Sequence, residues 1–194
     1  MMTLVMGGAA SGKSEFAEQL LLQTGILPRY YIATMQPLDE ECCLRIEKHR
    51  QMRAQKRFET IECYTGLAAL RLPQKGAVLL ECMSNLVANE LYSPAGAGES
   101  TLSAILTGVE QLAAQSRQLV IVSNEVFSGG LDYAGDTDRY LRLLAEVNCQ
   151  LAARAHRVCE VVCGIPQEHK ERLAGTCGFL KQPPWLWPCS PQYR

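Results

Sequence analysis

Eight residues near the start of the chain, Gly7-Gly8-Ala9-Ala10-Ser11-Gly12-Lys13-Ser14, combine the types that hold phosphate. Gly7 and Gly12 let the backbone curl until successive N–H groups converge on one point. Lys13 supplies a compact cation for β- and γ-phosphates, and the Ser14 hydroxyl is a ligand for Mg²⁺. The pattern is G-x-x-x-x-G-K-[ST], which carries meaning only between a strand and a helix. Both flanks are present. Thr3–Met6 is short, apolar and β-prone, and from Lys13 onward Phe16, Ala17, Leu20 and Leu21 recur at helical spacing. The helix N-terminus adds positive potential where the phosphates would lie. The segment therefore predicts a cradle for the triphosphate of ATP or GTP.

Such a cradle needs an acidic residue near the metal, at the end of a neighbouring strand. Glu81, closing Val78-Leu79-Leu80, stands at the carboxyl edge where open α/β sheets bind ligands. With Ser14 it forms the expected Mg²⁺ pair. A second constellation centres on His49. In a helix Arg45, His49 and Arg53 share one face. Three cationic or protonatable groups in a row repel one another unless an anion answers them. The flanking arginines favour neutral imidazole, the nucleophilic form, and histidine is a competent nucleophile at phosphorus. A solvated basic helix face is the plainer reading of the same stripe. Of the other histidines, His156 is expected near the C-terminus of a long helix, suited to its dipole, and His169 in solvent.

These residues require elements to position them. Helix 13 onward ends by Gly25 and Pro28; Tyr30–Ala33 reads as a buried strand, 38–54 as a charged helix and Phe58–Glu62 as a short strand. Ala77–Glu81 is the clearest buried strand. Helices follow near 84–91 and 101–116, then strand Leu119–Ser123, a helix 137–156 capped by Asp136, and strand Val158–Cys163. Residues 182–194, with four Pro and two Trp, read as an extended tail. Continuous apolar strands alternating with helices predict one α/β domain over 1–194, a P-loop NTPase fold whose mostly parallel central sheet carries helices on both faces.

Composition narrows the function classes. A net charge of −1 over 194 residues speaks against a broad nucleic-acid surface. No apolar run is long enough to span a membrane, and no basic segment precedes Leu4–Met6 as a signal sequence would require. Nine cysteines, without a C-x-x-C pair, suit a reducing cytoplasm. Cys63, Cys82, Cys159 and Cys163 are expected to serve as small core side chains.

The chain resembles the bifunctional adenosylcobinamide kinase/adenosylcobinamide-phosphate guanylyltransferase family of cobalamin biosynthesis. The resemblance runs from residue 3 to about 166. It rests on the loop at 7–14, Tyr31-Ile32-Ala33-Thr34, Arg45-Ile46-x-x-His49-x-x-x-Arg53, Thr60-x-Glu62, Leu79-Leu80-Glu81-Cys82, Val122-Ser123-Asn124-Glu125-Val126 and Asn148-Cys149-Gln150. It implies phosphorylation of the aminopropanol hydroxyl of adenosylcobinamide by a nucleoside triphosphate. It further implies transfer of GMP from GTP to His49 and onward to the cobinamide phosphate, giving adenosylcobinamide-GDP. Implied guanine-nucleotide contacts are the loop 7–14, Ala33, Thr34, Met35, Arg50, Gln51, Met52, Arg53, Glu62 and Glu81. A homo-oligomer, specifically a homotrimer, is implied as well. The sequence departs from the family after Val126: Phe127 stands where glycine is common, Asp132 where proline is, Tyr140-Leu141-Arg142 in place of Phe-Arg-Asp, and Ala145 at a usual glycine. Those departures leave a guanylyltransferase without kinase activity as an alternative. A nucleotide-dependent switch without chemistry is a third reading, against which His49 argues, since a switch needs no nucleophile.

Overall fold

The computed structural model describes residues 1–37, 39–53, 56–127 and 133–171, except the side chains of Arg45, Lys48, His49, Met52 and Arg53. Among the described residues seven strands and five α-helices follow in the order β1 Met2–Gly7, α1 Lys13–Gln23, β2 Arg29–Ala33, α2 Glu40–Arg53, β3 Phe58–Glu62, β4 Gly76–Glu81, α3 Met83–Tyr92, α4 Thr101–Gln115, β5 Ser116–Asn124, α5 Asp136–Arg154, β6 Arg157–Val162 and β7 Ile165–Glu171. They form one sheet in the order β3-β2-β4-β5-β1-β6-β7. Every pairing is parallel except β6 with β7.

The apolar runs of β1, β4 and β5 are buried on both faces. Leu4, Val78, Leu80, Leu119 and Ile121 point to one side, where Leu86, Ile105, Leu112, Leu144 and Leu151 of α3, α4 and α5 cover them. Val5, Ala77, Leu79, Val120 and Val122 point to the other, against Ala17 and Leu21 of α1. A period of two in the strands thus sorts one continuous apolar string into two cores. The parallel register brings the ends of β1, β2, β4 and β5 to one edge, with Gly7 level with Asn124 and Ala33 level with Glu81.

Four details differ from the sequence expectations. Helix α5 begins at Asp136, behind Gly135 as N-cap, so Asp136 is its first residue rather than its cap. The helix closes at Arg154, and His156 lies beyond it; its Nδ1 accepts the Met2 N–H at 3.2 Å and its own N–H donates to the Met2 carbonyl. The last parallel strand is followed by β7, antiparallel through a two-residue turn in which Cys163 (φ 50°) and Gly164 (φ 78°) are both left-handed. Such turns match the natural twist of a hairpin. Cys163 is therefore exposed at the turn, whereas Cys63 and Cys159 are buried as expected. His169, exposed on β7, pairs with Glu160 at 2.9 Å. Residues 182–194 lie outside the described part.

Candidate active site

The phosphate loop joins β1 to α1 at the carboxyl edge of the sheet. Ala10 (φ 55°) and Gly12 (φ 89°) take left-handed backbone, so the loop closes into a concave ring. Gly7 must be glycine for lack of room: a Cβ there would meet the Ser11 hydroxyl at 2.5 Å and the Val161 carbonyl at 2.6 Å. Ala9, Ala10 and Gly12 are exposed, leaving the ring open to solvent, and Ser11 Oγ is buried with no hydrogen-bond partner. Gly8 is half-buried, and its carbonyl receives the Ser11 N–H at 3.3 Å and Lys13 Nζ at 2.9 Å.

Lys13 is buried under the loop, with 8% of its surface exposed. Burial lowers its pKa, and the nearby Cys82 and Glu81 oppose that shift. A partly desolvated ammonium beside curled N–H groups is a strong attractor for phosphate oxygen.

The two residues expected at the metal are brought together. Ser14 Oγ donates to Glu81 Oε1 at 2.5 Å, and Glu81 Oε2 is buried without a partner. The Glu81–Cys82 peptide bond is cis.

The β2 loop is held from behind. Thr34 is fully buried, and its hydroxyl accepts the Cys82 N–H and donates to the Cys82 carbonyl, both at 2.8 Å. Its N–H donates to the Glu81 carbonyl at 3.1 Å, while its carbonyl accepts Asn89 Nδ2 at 2.8 Å. With its hydroxyl committed to Cys82, Thr34 contributes to the site by fixing the loop between Ala33 and the half-buried Met35. Helix α2 is tied to the same edge further along. Arg50, the neighbour of His49, pairs with Glu62 at the end of β3 at 2.7 Å, and the Tyr64 hydroxyl donates to the other carboxylate oxygen at 2.8 Å. Burial and that bond raise the Tyr64 pKa. Exposed Gln51 turns back on Glu47 at 3.0 Å. Between α2 and β3 lies a cleft of about 460 Å³, lined by Leu44, Glu47, Arg50, Glu62 and Tyr64 among others. The side chains of His49, Met52 and Arg53 lie outside the described part; their backbone belongs to α2.

The fold and this arrangement bear on what the chain is related to. A family model described as cobinamide kinase / cobinamide phosphate guanyltransferase matches residues 3–169. The chain belongs to that family. It is 36% identical over 179 residues to the bifunctional adenosylcobalamin biosynthesis protein CobU of Escherichia coli (strain K12), covering 85% of this chain and 97% of that one. Over 178 residues it is 31% identical to the bifunctional adenosylcobalamin biosynthesis protein CobP of Pseudomonas aeruginosa, covering 88% and 98%. Among solved structures, the flagellar accessory protein FlaH from Methanocaldococcus jannaschii superimposes with a TM-score of 0.50 at 12% identity, over 88% of this chain and 78% of that one. That likeness is one of fold alone.

In this family member a second layer of polar residues, only partly legible in the sequence, surrounds the edge. Asn124 ends β5 and donates to the buried Ser84 hydroxyl at 2.6 Å. Ser84 Oγ also lies 3.3 Å from Cys82 Sγ, and its carbonyl accepts the Tyr140 hydroxyl at 3.2 Å. Tyr140 stands where phenylalanine is usual in the family resemblance. Burial, with the nearby Cys82 adding to it, pushes its pKa up to about 12, so it remains a donor at neutral pH. Below, Ser123 Oγ donates to Asn148 Oδ1 at 2.7 Å inside the core. The position of Asn124 at a strand's carboxyl end was a readable signal; the pairing with Ser84 was not. Asp132 falls outside the described residues.

Proposed function

We propose that the chain phosphorylates the aminopropanol hydroxyl of adenosylcobinamide and then transfers GMP from GTP to the product through His49. The observation that carries this reading is the phosphate loop with Lys13 buried beneath it and Ser14 bonded to Glu81, in a chain of this family. Ser14 and Glu81 offer only oxygen donors, one carboxylate oxygen is unpaired, and Mg²⁺ at phosphate sites needs few protein ligands of this kind. The residues therefore fit Mg²⁺, which when bound neutralises phosphate charge. Among the described residues no cluster of three or more His, Cys, Asp or Glu forms a fuller metal cage.

In the first reaction the acceptor hydroxyl oxygen bonds to the γ-phosphorus, its proton is released to water, and the β–γ bridging bond breaks, leaving a nucleoside diphosphate. Lys13 and the loop N–H groups hold the oxygens on which charge accumulates. In the second, a His49 nitrogen bonds to the α-phosphorus and pyrophosphate departs. An oxygen of the cobinamide phosphate then attacks the same phosphorus and releases the imidazole. The chain carries one such loop, so a single cradle serves both triphosphates, GTP and ATP alike. From the cradle the nucleoside extends along the edge toward loop 33–35, α2 residues 50–53 and Glu62. No described helix is long and apolar enough to cross a membrane. Action in the cytoplasm as a single-domain homotrimer on small-molecule substrates, without nucleic acid, completes the proposal. Mass spectrometry after incubation with GTP and Mg²⁺ tests it: a mass increase of one GMP located on His49 is the expected result.

A further inference from the structure

We propose that Gly164, at the tip of the β6–β7 hairpin, is a positioning residue of the phosphate cradle. It lies 150 residues beyond the loop it serves. Its N–H donates to the Ser11 carbonyl at 2.8 Å. Because a trans peptide sets its N–H opposite its C=O, holding the Ser11 carbonyl outward turns the Gly12 N–H toward the inside of the ring. That peptide is able to turn over. It precedes a glycine at φ 89°, and glycine accepts either sign of φ at little steric cost. Turned over, it would present a carbonyl oxygen to an anion.

The hairpin also packs close against the loop at two further places. A Cβ on Gly12 would stand 3.3 Å from Gly164 Cα, and a Cβ on Gly7 would stand 2.6 Å from the Val161 carbonyl. The tip itself is set by its own geometry. Cys163 and Gly164 both take left-handed backbone, Arg157 on Glu168 at 2.7 Å joins the two strands, and Lys170 on the Ala152 carbonyl at 2.7 Å ties β7 to α5. Nothing lies within 4 Å of a Cβ built on Gly164, so a substitution there acts through backbone conformation and not through crowding. The inference rests on residues 7–14 being the triphosphate cradle.

The experiment is titration of GTP with Mg²⁺ against the full chain. Lys13→Ala tests the cradle itself: binding equal to wild type would remove the reading on which the inference rests. Gly164→Val keeps the N–H but resists positive φ. Its expected effect is a GTP dissociation constant about tenfold higher, the scale of one hydrogen bond, at a temperature where circular dichroism matches wild type. Gly164→Asn, which tolerates the left-handed region, should restore most of that loss. A second measurement needs no variant. Saturating GTP should slow amide exchange of the peptide spanning 160–166, which contains no cradle residue. Wild-type affinity in Gly164→Val, or unchanged exchange at 160–166 while Lys13-dependent binding is intact, would overturn the proposal.

Discussion

Ser14 and Glu81 join the helix behind the phosphate loop to the end of β4, hydroxyl to carboxylate, at 2.5 Å. Two elements separated by 67 residues in sequence are thereby locked at the point where a metal–triphosphate would sit. The bond occupies Oε1 alone and leaves Oε2 buried and unpaired. A buried carboxylate oxygen without a partner costs stability of about 1–3 kcal/mol, so its retention points to use.

Glu81→Gln is expected to raise the Mg²⁺ concentration needed for half-maximal activity while the fold stays intact. The amide keeps the shape and can still meet Ser14, but it lacks the charge. Initial rates across a Mg²⁺ series measure this; an unchanged Mg²⁺ and GTP dependence would reduce Glu81 to a strand end.

Lys13→Ala should lower both half-reactions by about a hundredfold or more, since one clamping charge at a phosphoryl group supplies several kcal/mol. The native lysine also makes binding pH-dependent. Burial lowers its pKa, and a bound triphosphate, by adding negative charge beside it, raises the value again. Above the lowered value GTP binding therefore takes up a proton, and affinity falls as pH rises. For folding the sign is opposite. The unfolded chain keeps the lysine proton to higher pH, so this group's contribution to stability rises with pH between the folded and unfolded values. Calorimetry of GTP binding at alkaline pH, in two buffers of different ionisation heat, measures the uptake. Equal heats in both buffers would contradict it.

Thr34→Val tests whether this residue acts by contact or by position. The isosteric swap leaves the Cys82 N–H without its partner in a buried site, a loss of about 1–3 kcal/mol. For a chain of this size the melting temperature should drop by about 2–4 °C per kcal/mol. Thr34→Ser should recover most of it. If Thr34→Val melts as wild type but loses nucleotide affinity, the hydroxyl is a ligand contact and the clamp is secondary.

The loop 7–14, the strands that carry it and Glu81 were legible because each has a strong local signal: fixed glycines, a lysine and serine at set spacing, and apolar runs ending in a charge. Strand β7 gave no such signal. Ile165–Glu171 is an edge strand exposed almost throughout, with Pro166 near its start and charges along it, so neither alternation nor hydrophobicity marks it. The cue that was present is Cys163-Gly164 directly after the β-prone run of β6, a dipeptide that suits a two-residue hairpin turn. His156 was misread because helix ends are set by caps that periodicity does not show; α5 stops two residues short of it. The Asn124–Ser84–Tyr140 contacts are tertiary, between elements 40 and 56 residues apart, and no local pattern encodes them.

The sharpest expectation concerns His49, on α2 directly before Arg50, whose pairing with Glu62 ties that helix to the carboxyl edge of the sheet. Incubation with GTP and Mg²⁺ should attach one GMP through a phosphoramidate bond. The bond should break in acid and survive base, because protonating the nitrogen makes imidazole a good leaving group. His49→Ala should abolish the adduct and guanylyl transfer together. It should spare phosphorylation of adenosylcobinamide, because direct transfer to a hydroxyl needs positioning and charge neutralisation but no protein nucleophile. Arg53 shares the His49 stripe by spacing, and Arg53→Ala should slow adduct formation without eliminating it. Acid-labile label on wild type, its absence in His49→Ala, and intact kinase turnover in the same variant must appear together. Recovery of GMP on another residue would move the nucleophile away from His49, whereas full guanylyl transfer by His49→Ala without any adduct would refute the covalent route and leave direct transfer between bound substrates as the mechanism.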